Sequence, residues 1–158
     1  MAQQKIRTFL WYDTEAEVAA KHYVAAFKNS SIDNVFKQHG SDQAFIVEFT
    51  IAGQQYVAMN AGPLFTPNES FSFFVECDDQ ADVDRLWSHL LKDGGKESAC
   101  GWLKDRWGFS WQIVPRIFMD MMKSKDTAAS GRAMQAMMQM VKFDIAALEK
   151  AFAGQPIT

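Results

Sequence analysis

A chain of 158 residues, 48% hydrophobic and 22% charged, is long enough for one domain with a sizeable core and has the balance of a globular protein. A net charge of -3 argues against nucleic acid, which usually engages a basic patch, and no apolar run approaches the ~20 residues of a membrane span. Met1-Ala2-Gln3-Gln4-Lys5 lacks the apolar core of a signal peptide, so a cytoplasmic protein is expected, with Cys77 and Cys100 reduced.

Ile6 to Tyr12 is rich in β-branched and aromatic residues and predicts a strand. Thr14 to Glu17 spells a capping box and opens a helix. Ala16, Ala20, Tyr23 and Phe27 give that helix one apolar face, and Asn29-Ser30-Ser31 ends it. Ile32 to Lys37 predicts a strand. Phe45, Val47, Phe49 and Ile51 alternate with Ile46, Glu48 and Thr50 and predict another. Ala52-Gly53 then turns the chain into Gln54 to Asn60. The order is strand, helix and three strands, βαβββ.

Gly62, Pro63, Pro67 and Asn68 mark a linker, after which the pattern begins again. Phe71 to Val75 predicts a strand. Asp78-Asp79 can cap a helix lined by Val83, Leu86 and Leu90, and Gly94-Gly95 ends it. Lys96 to Ala99 reads as a short strand. A hairpin follows: Trp102 to Asp105, a turn over Arg106 to Gly108, then Phe109 to Val114, with Pro115 stopping the second strand. The same order of elements thus occurs twice, although the copies share almost no sequence identity. The remainder is helical: a short helix over Arg116 to Lys123, a polar stretch, then an apolar pattern at Ala133, Met137, Met138, Val141, Ile145, Leu148 and Phe152. Asp144 can recap this helix after a break at Phe143. So apolar a face should pack on the sheets or on a partner chain.

Paired βαβββ modules resemble the vicinal oxygen chelate superfamily of glyoxalases and bleomycin-resistance proteins. Within it the chain is similar to the PhnB-like branch, whose domains also carry the label 3-demethylubiquinone-9 3-methyltransferase. The matching stretches are Phe9-Leu10-Trp11-Tyr12-Asp13, Asn60-Ala61-Gly62-Pro63, Ser70-Phe71-Ser72-Phe73-Phe74-Val75, Cys100 to Asp105, Gly108 to Pro115, Met134 to Met137 and Lys142 to Glu149. The resemblance implies an α+β fold and one glyoxalase-like domain over residues 1–158. Module one would cover about 5–60, module two about 69–114 and a C-terminal helical extension about 116–153. It also implies two sheets curling around a cavity, commonly in a homodimer. A ferredoxin-like sandwich would use the same elements with different strand pairing.

Metal-dependent relatives take two ligands from each module, one from its first strand and one from its last. Those positions fall here on Ile6, Val57, Ser70 and Gln112. Ile and Val have no donor atom and neutral oxygens are poor ligands, so no metal site is expected; Glu69, joined by Asp78, could change this only by a slip of register. No cofactor is expected either: the chain lacks the G-x-G-x-x-G loop and βα alternation that usually seat a methyl donor.

His22, His39 and His89 read as solvated surface residues, and Cys77 and Cys100 as inert thiols. Glu48 and Glu76 are candidate general bases if buried in a cleft, and otherwise solvated charges. Asp105 should accept turn N–H groups. Trp11, Tyr56, Phe74, Trp102, Trp107 and Trp111 divide between core and cavity. With Val57, Met59, Ser72, Ser110 and Gln112 facing it, the cavity would be mostly apolar with a few polar handles. The candidate ligand-binding residues are Thr8, Met59, Ser72, Trp102, Ser110 and Gln112; no catalytic residue is assigned. The expected role is metal-independent binding of a small apolar or aromatic molecule by a homodimer. The alternative is a superfamily enzyme: a lyase, isomerase, dioxygenase or, by label, methyltransferase. The Met-rich tail (Met134, Met137, Met138, Met140) supplies the surplus apolar surface for a dimer.

Overall fold

The computed structural model describes residues 2–156. They divide between Pro67 and Asn68 into two compact units. The first unit runs β1 (Thr8–Tyr12), α1 (Ala16–Ala26), β2 (Ser31–Lys37), β3 (Ala44–Ile51) and β4 (Gln54–Asn60). Its four-stranded sheet has the order β1-β4-β3-β2, in which β1 and β4 are parallel and the other pairs antiparallel. This pairing is a meander closed by the first strand, which sets aside the ferredoxin-like alternative. Alternation sends Leu10, Tyr12, Val47, Phe49 and Ala58 to one face, where they are buried together with Ala16, Ala19, Ala20 and Tyr23 of α1. Ala52 and Gly53 both have positive φ, 49° and 84°, the mirror-image turn that suits a two-residue hairpin.

The capping box at Thr14 does not form. The helix starts after Glu15, which makes no side-chain cap bond, and the Ala16 N–H donates instead to Asn60 Oδ1 at 2.8 Å. Asn60 Nδ2 donates to the Ala44 carbonyl at 2.9 Å, so one amide ties the helix start to two strands. A local signal lost to a residue 44 positions away.

In the second unit come β5 (Ser72–Cys77), α2 (Gln80–Leu90), β6 (Lys96–Glu97), β7 (Trp102–Lys104) and β8 (Ser110–Pro115). They repeat the first topology, with sheet order β5-β8-β7-β6 and β5 parallel to β8. Asp79 caps α2, accepting from the Asp82 N–H at 2.8 Å, and Val83, Leu86, Trp87 and Leu90 are buried. Pro115 ends β8 and also precedes the first turn of α3 (Arg116–Met122). Two further helices follow, α4 (Thr127–Met137) and α5 (Ile145–Phe152). Asp126 and Asp144 cap them through the Ala129 and Ala147 N–H groups at 2.9 and 3.0 Å. The recapping expected at Asp144 is therefore present.

The interval between α4 and α5 docks the extension. The Cys100 and Gly101 N–H groups donate to the Met140 and Val141 carbonyls, each at 2.8 Å. Gln80 clasps the next step: its Nε2 donates to the Phe143 carbonyl at 3.0 Å and its Oε1 accepts the Ile145 N–H at 2.8 Å. Phe143, only 2% exposed, lies against Phe118 with ring centroids 5.1 Å apart. Gly101 has φ 78°, and a Cβ there would stand 2.3 Å from a ring carbon of Phe143. Both backbone conformation and packing thus demand glycine.

Gly101→Ala is expected to cost more than about 3 kcal/mol, combining a left-handed alanine with an overpacked core. In a Phe143→Ala background the steric part disappears and the same change should cost only about 1–2 kcal/mol. Urea denaturation of the four proteins measures the difference. Equal costs in both backgrounds would show that Phe143 is not what excludes the side chain.

Candidate functional site

Each sheet has one face under its helix and one open face, and the open faces carry the polar residues of interest. In the second sheet Leu103, Trp111 and Ile113 are buried on the helix side. Register pairs Trp102 with Gln112, Phe74 with Gln112, and Ser110 with both Ser72 and Lys104. These residues share the opposite face. Gln112 Nε2 donates to Ser72 Oγ at 2.9 Å. Phe74 is 49% exposed and Trp102 is half-buried. Ser110 is 1% exposed, and its hydroxyl has no hydrogen-bond partner among the described residues. Charges stand toward the ends of this face: Lys104 pairs with Glu69 at 2.5 Å, and Glu76 lies 3.8 Å from Arg116. Between them the face is neutral.

Four of the six candidate ligand-binding residues, Ser72, Trp102, Ser110 and Gln112, therefore lie together. Met59 occupies the open face of the first sheet, paired with Trp11 and Ile46. Thr8 pairs with Tyr56, which stacks on buried Phe49 at 5.4 Å, so Thr8 shares the helix side of its sheet. Trp111 is core, stacked on Phe73 at 4.1 Å. Trp11 donates from Nε1 to the Gly62 carbonyl at 2.8 Å and meets Phe65 edge-on at 5.0 Å. Arg106 covers Trp107 with its guanidinium 4.5 Å from the ring centre.

On the open face of the first sheet the charges lie close to one another. Arg7 Nη1 donates to Glu48 Oε1 at 2.6 Å, and Asn34 Nδ2 to Glu48 Oε2 at 2.8 Å. Those bonds, that from Arg7 foremost, hold the Glu48 carboxyl below the usual carboxylate range. Glu48 is thus neither a free surface charge nor a base tuned to accept a proton near neutrality. Thr50, buried, donates to Asp33 Oδ2 at 2.7 Å, and Ser31 to Asp33 Oδ1 at 2.6 Å. Sequence reasoning missed this network because its members lie on two strands and just before a third; the only local signal is the alternation that sets Glu48 and Thr50 opposite Phe49.

Burial pushes the Cys77 thiol up to about 12. Cys100 lies in the turn before β7 with φ 59°, not in a strand. His39 is exposed, but His22 and His89 are half-buried on their helices rather than fully solvated, and the His22 ring lies 6.0 Å from that of Tyr23. At the metal-ligand positions Ile6 and Val57 offer no donor, the Ser70 hydroxyl donates to Asn68 Oδ1 at 2.5 Å and the Gln112 amide is engaged with Ser72. Glu69 is held by Lys104, which lowers its proton affinity, and Asp78 lies 3.3 Å from Arg116. These residues do not fit a divalent-metal shell, and among the described residues no cluster of three His, Cys, Asp or Glu could hold an ion. No described helix is long and apolar enough to cross a membrane.

A family model described as 3-demethylubiquinone-9 3-methyltransferase matches residues 4–114. Among solved structures the chain is similar to a putative 3-demethylubiquinone-9 3-methyltransferase, PhnB protein, from Bacillus cereus. They are 26% identical with a TM-score of 0.66, over 71% of this chain and 99% of that one. A Pseudomonas aeruginosa protein, PA1353, is 16% identical with a TM-score of 0.57, over 72% and 98%. The fosfomycin resistance protein FosX of Mesorhizobium loti is 12% identical with a TM-score of 0.52, over 72% and 92%, a likeness of fold. No curated protein matches the chain. The fold is that of the glyoxalase and bleomycin-resistance proteins, with the helical extension added.

The lowered acidity of Glu48 has a sign that can be read in stability. Its contribution is complete above the unfolded value of about 4.3 and is lost as pH falls through the lower folded value. Glu48→Gln is expected to cost about 1 kcal/mol at pH 7. The gap from the parent protein should close as acid protonates the parent's carboxylate. Thermal melts at pH 7, 5 and 3 measure it; a gap unchanged down to pH 3 would assign the loss to packing rather than charge.

Proposed function

We propose, from the premise that the chain belongs to the 3-demethylubiquinone-9 3-methyltransferase family, that it is a PhnB-like protein binding a small apolar or aromatic molecule without a metal. The observation that carries this reading is the neutral stretch of the second sheet's open face. Phe74 and Trp102 offer apolar and aromatic surface there, Ser72 and Gln112 offer hydrogen bonds, and charges are kept toward the ends. An aromatic ligand gains area and ring contacts against such a surface, and a few polar groups fix its orientation. The Ser110 hydroxyl adds to the case. Leaving a buried hydroxyl unpaired costs about 1–3 kcal/mol, which a polar atom brought by a ligand would offset.

Methyl transfer does not follow from the family's description. Each sheet here is a meander with a single parallel pair, whereas a methyl donor usually sits at a glycine-rich loop in a repeated parallel strand–helix fold.

A homodimer is part of the same proposal. Phe9 and Phe36 on the first sheet and Phe74 on the second project apolar surface, and Met138 of the helical extension is 60% exposed. Closed twofold pairing is the commonest way to cover such patches. Sedimentation at micromolar concentration should show a particle of twice the 17.9 kDa chain mass. A chain-mass particle alone would end the dimer reading.

Calorimetric titration with indole, a neutral aromatic probe, tests the site. Gln112→Ala should weaken binding by about 1 kcal/mol, the worth of one neutral hydrogen bond. Ser110→Ala should leave the unliganded protein as stable as before or more so, while weakening any ligand that reaches the hydroxyl. Native mass spectrometry of the purified protein would identify a retained ligand. A metal-dependent ligand, or unaltered affinity in both variants, would overturn the assignment.

A further inference from the structure

The first unit holds a polar cleft, chemically unlike the neutral face of the second sheet. It has a volume of about 620 Å³ and is lined by Arg7, Asp33, Asn34, Glu48, Thr50 and Gln55 among others. Its wall is fixed by the N-terminal segment. The Gln4 N–H donates to Gln55 Oε1 at 2.7 Å, Gln4 Nε2 to the Gly53 carbonyl at 3.2 Å, and the Gln55 N–H returns a bond to Gln4 Oε1 at 3.1 Å. Arg7, Glu48 and Thr50 are all largely withdrawn from solvent. Arg7 and Glu48 thus hold each other and Thr50 is buried, while Asp33 and Asn34 on the edge strand are exposed.

Its charges are incompletely matched. Among the described residues the Arg7 guanidinium makes one bond, from Nη1 to Glu48. A guanidinium carries five N–H donors in a rigid fork, so the rest of the fork remains for a planar anion. Asp33 shows the converse. Two hydroxyls, of Ser31 and Thr50, hold its carboxylate in place, but no cation pairs with it among the described residues. One arginine against two carboxylates gives the lining a formal charge of -1, so a simple anion would be repelled and a simple cation would leave the fork unused. A molecule with both charged groups on one carbon answers both needs. Its carboxylate would meet Arg7 and its ammonium would meet Asp33 with the outer lone pairs of Glu48. Asn34 and Gln55 add amide groups suited to a polar side chain.

We propose that this cleft binds a small zwitterion of the α-amino acid class. The two readings rest on different residues, so loss of one leaves the other standing.

The test is calorimetric titration of the full chain with the common L-amino acids, each up to about 10 mM, a ceiling on weak binding. At least one polar amino acid should bind with one site per chain and a Kd at or below about 1 mM. Its analogues lacking the ammonium or the carboxylate should bind at least about tenfold more weakly, the worth of one charge-assisted hydrogen bond. Arg7→Gln should reduce affinity by a similar factor. Because that change also breaks the pair with Glu48, Asp33→Asn supplies a second variant at an exposed carboxylate; it should weaken the amino acid and spare the carboxylate-only analogue. Absence of binding by every amino acid overturns the proposal. So does binding that survives both substitutions, or an analogue with one charge that binds as well as the zwitterion.

Discussion

The carboxylate of Asp105 is the constraint on which the second unit depends. It is 3% exposed, and three N–H groups point at it: those of Trp107 and Phe109, each at 3.0 Å, and the Trp111 indole at 2.9 Å. The same residue uses its backbone, donating to the Phe109 carbonyl at 2.9 Å and accepting the Gly108 N–H at 3.0 Å. A polar group so buried is tolerable only because its acceptor sites are filled. Asn would present one acceptor oxygen and an NH2 facing other donors. By fixing the indole, Asp105 also fixes the stack of Trp111 on Phe73 and thereby the register of β5 against β8. That register sets Ser72, Phe74, Ser110 and Gln112 on the open face. The candidate site is thus a consequence of a hairpin turn two strands away from its first strand.

Identical topology carries two chemically different open faces. In both sheets a parallel pair joins the first and last strands of the unit, and the helix side is filled by aliphatic and aromatic residues. The open faces diverge. The first carries an ion pair, a second carboxylate and their hydroxyl and amide partners; the second is neutral in its middle. Only the helix side is constrained by burial, so the open side is free to change residue by residue. This accounts for a repeat visible in the order of elements and nearly absent in sequence identity.

The parts of the molecule that could be read from the sequence are those whose physics is local. Alternation predicts the strand spanning Phe45 to Ile51, and the structure places it at Ala44–Ile51. Asp79 and Asp144 cap their helices because the acceptor and its N–H lie three residues apart. Asp105 reaches its turn N–H groups for the same reason. What failed was long-range. Asn60 displaced the local cap of α1 from 44 residues away, and Arg7 claimed Glu48 from 41 residues away. The break before α5 was legible at Phe143, but not its length, because Met140 and Val141 leave the helix to pair with Cys100 and Gly101. Thr8, one of the candidate ligand-binding residues, pairs with Tyr56 and so lies on the helix side of its sheet.

The direction in which the fold moves its titratable groups bears on whether recognition or acid–base chemistry is the better reading. A general base or acid works best with its proton affinity poised near the working pH, and sites that use one tune it toward neutrality. Here the shifts run the other way. Hydrogen bonds from Arg7, Lys104 and Lys142 lower Glu48, Glu69 and Asp84 respectively. Burial raises Tyr56 and pushes Cys77 to about 12. Each of these groups is fixed more firmly in the charge state it already has at pH 7. Glu48 in particular is kept ionised beside a guanidinium with donors to spare, which suits a group that orients a charged ligand and ill suits one that must take up a proton. These five groups are therefore held away from proton exchange near neutrality.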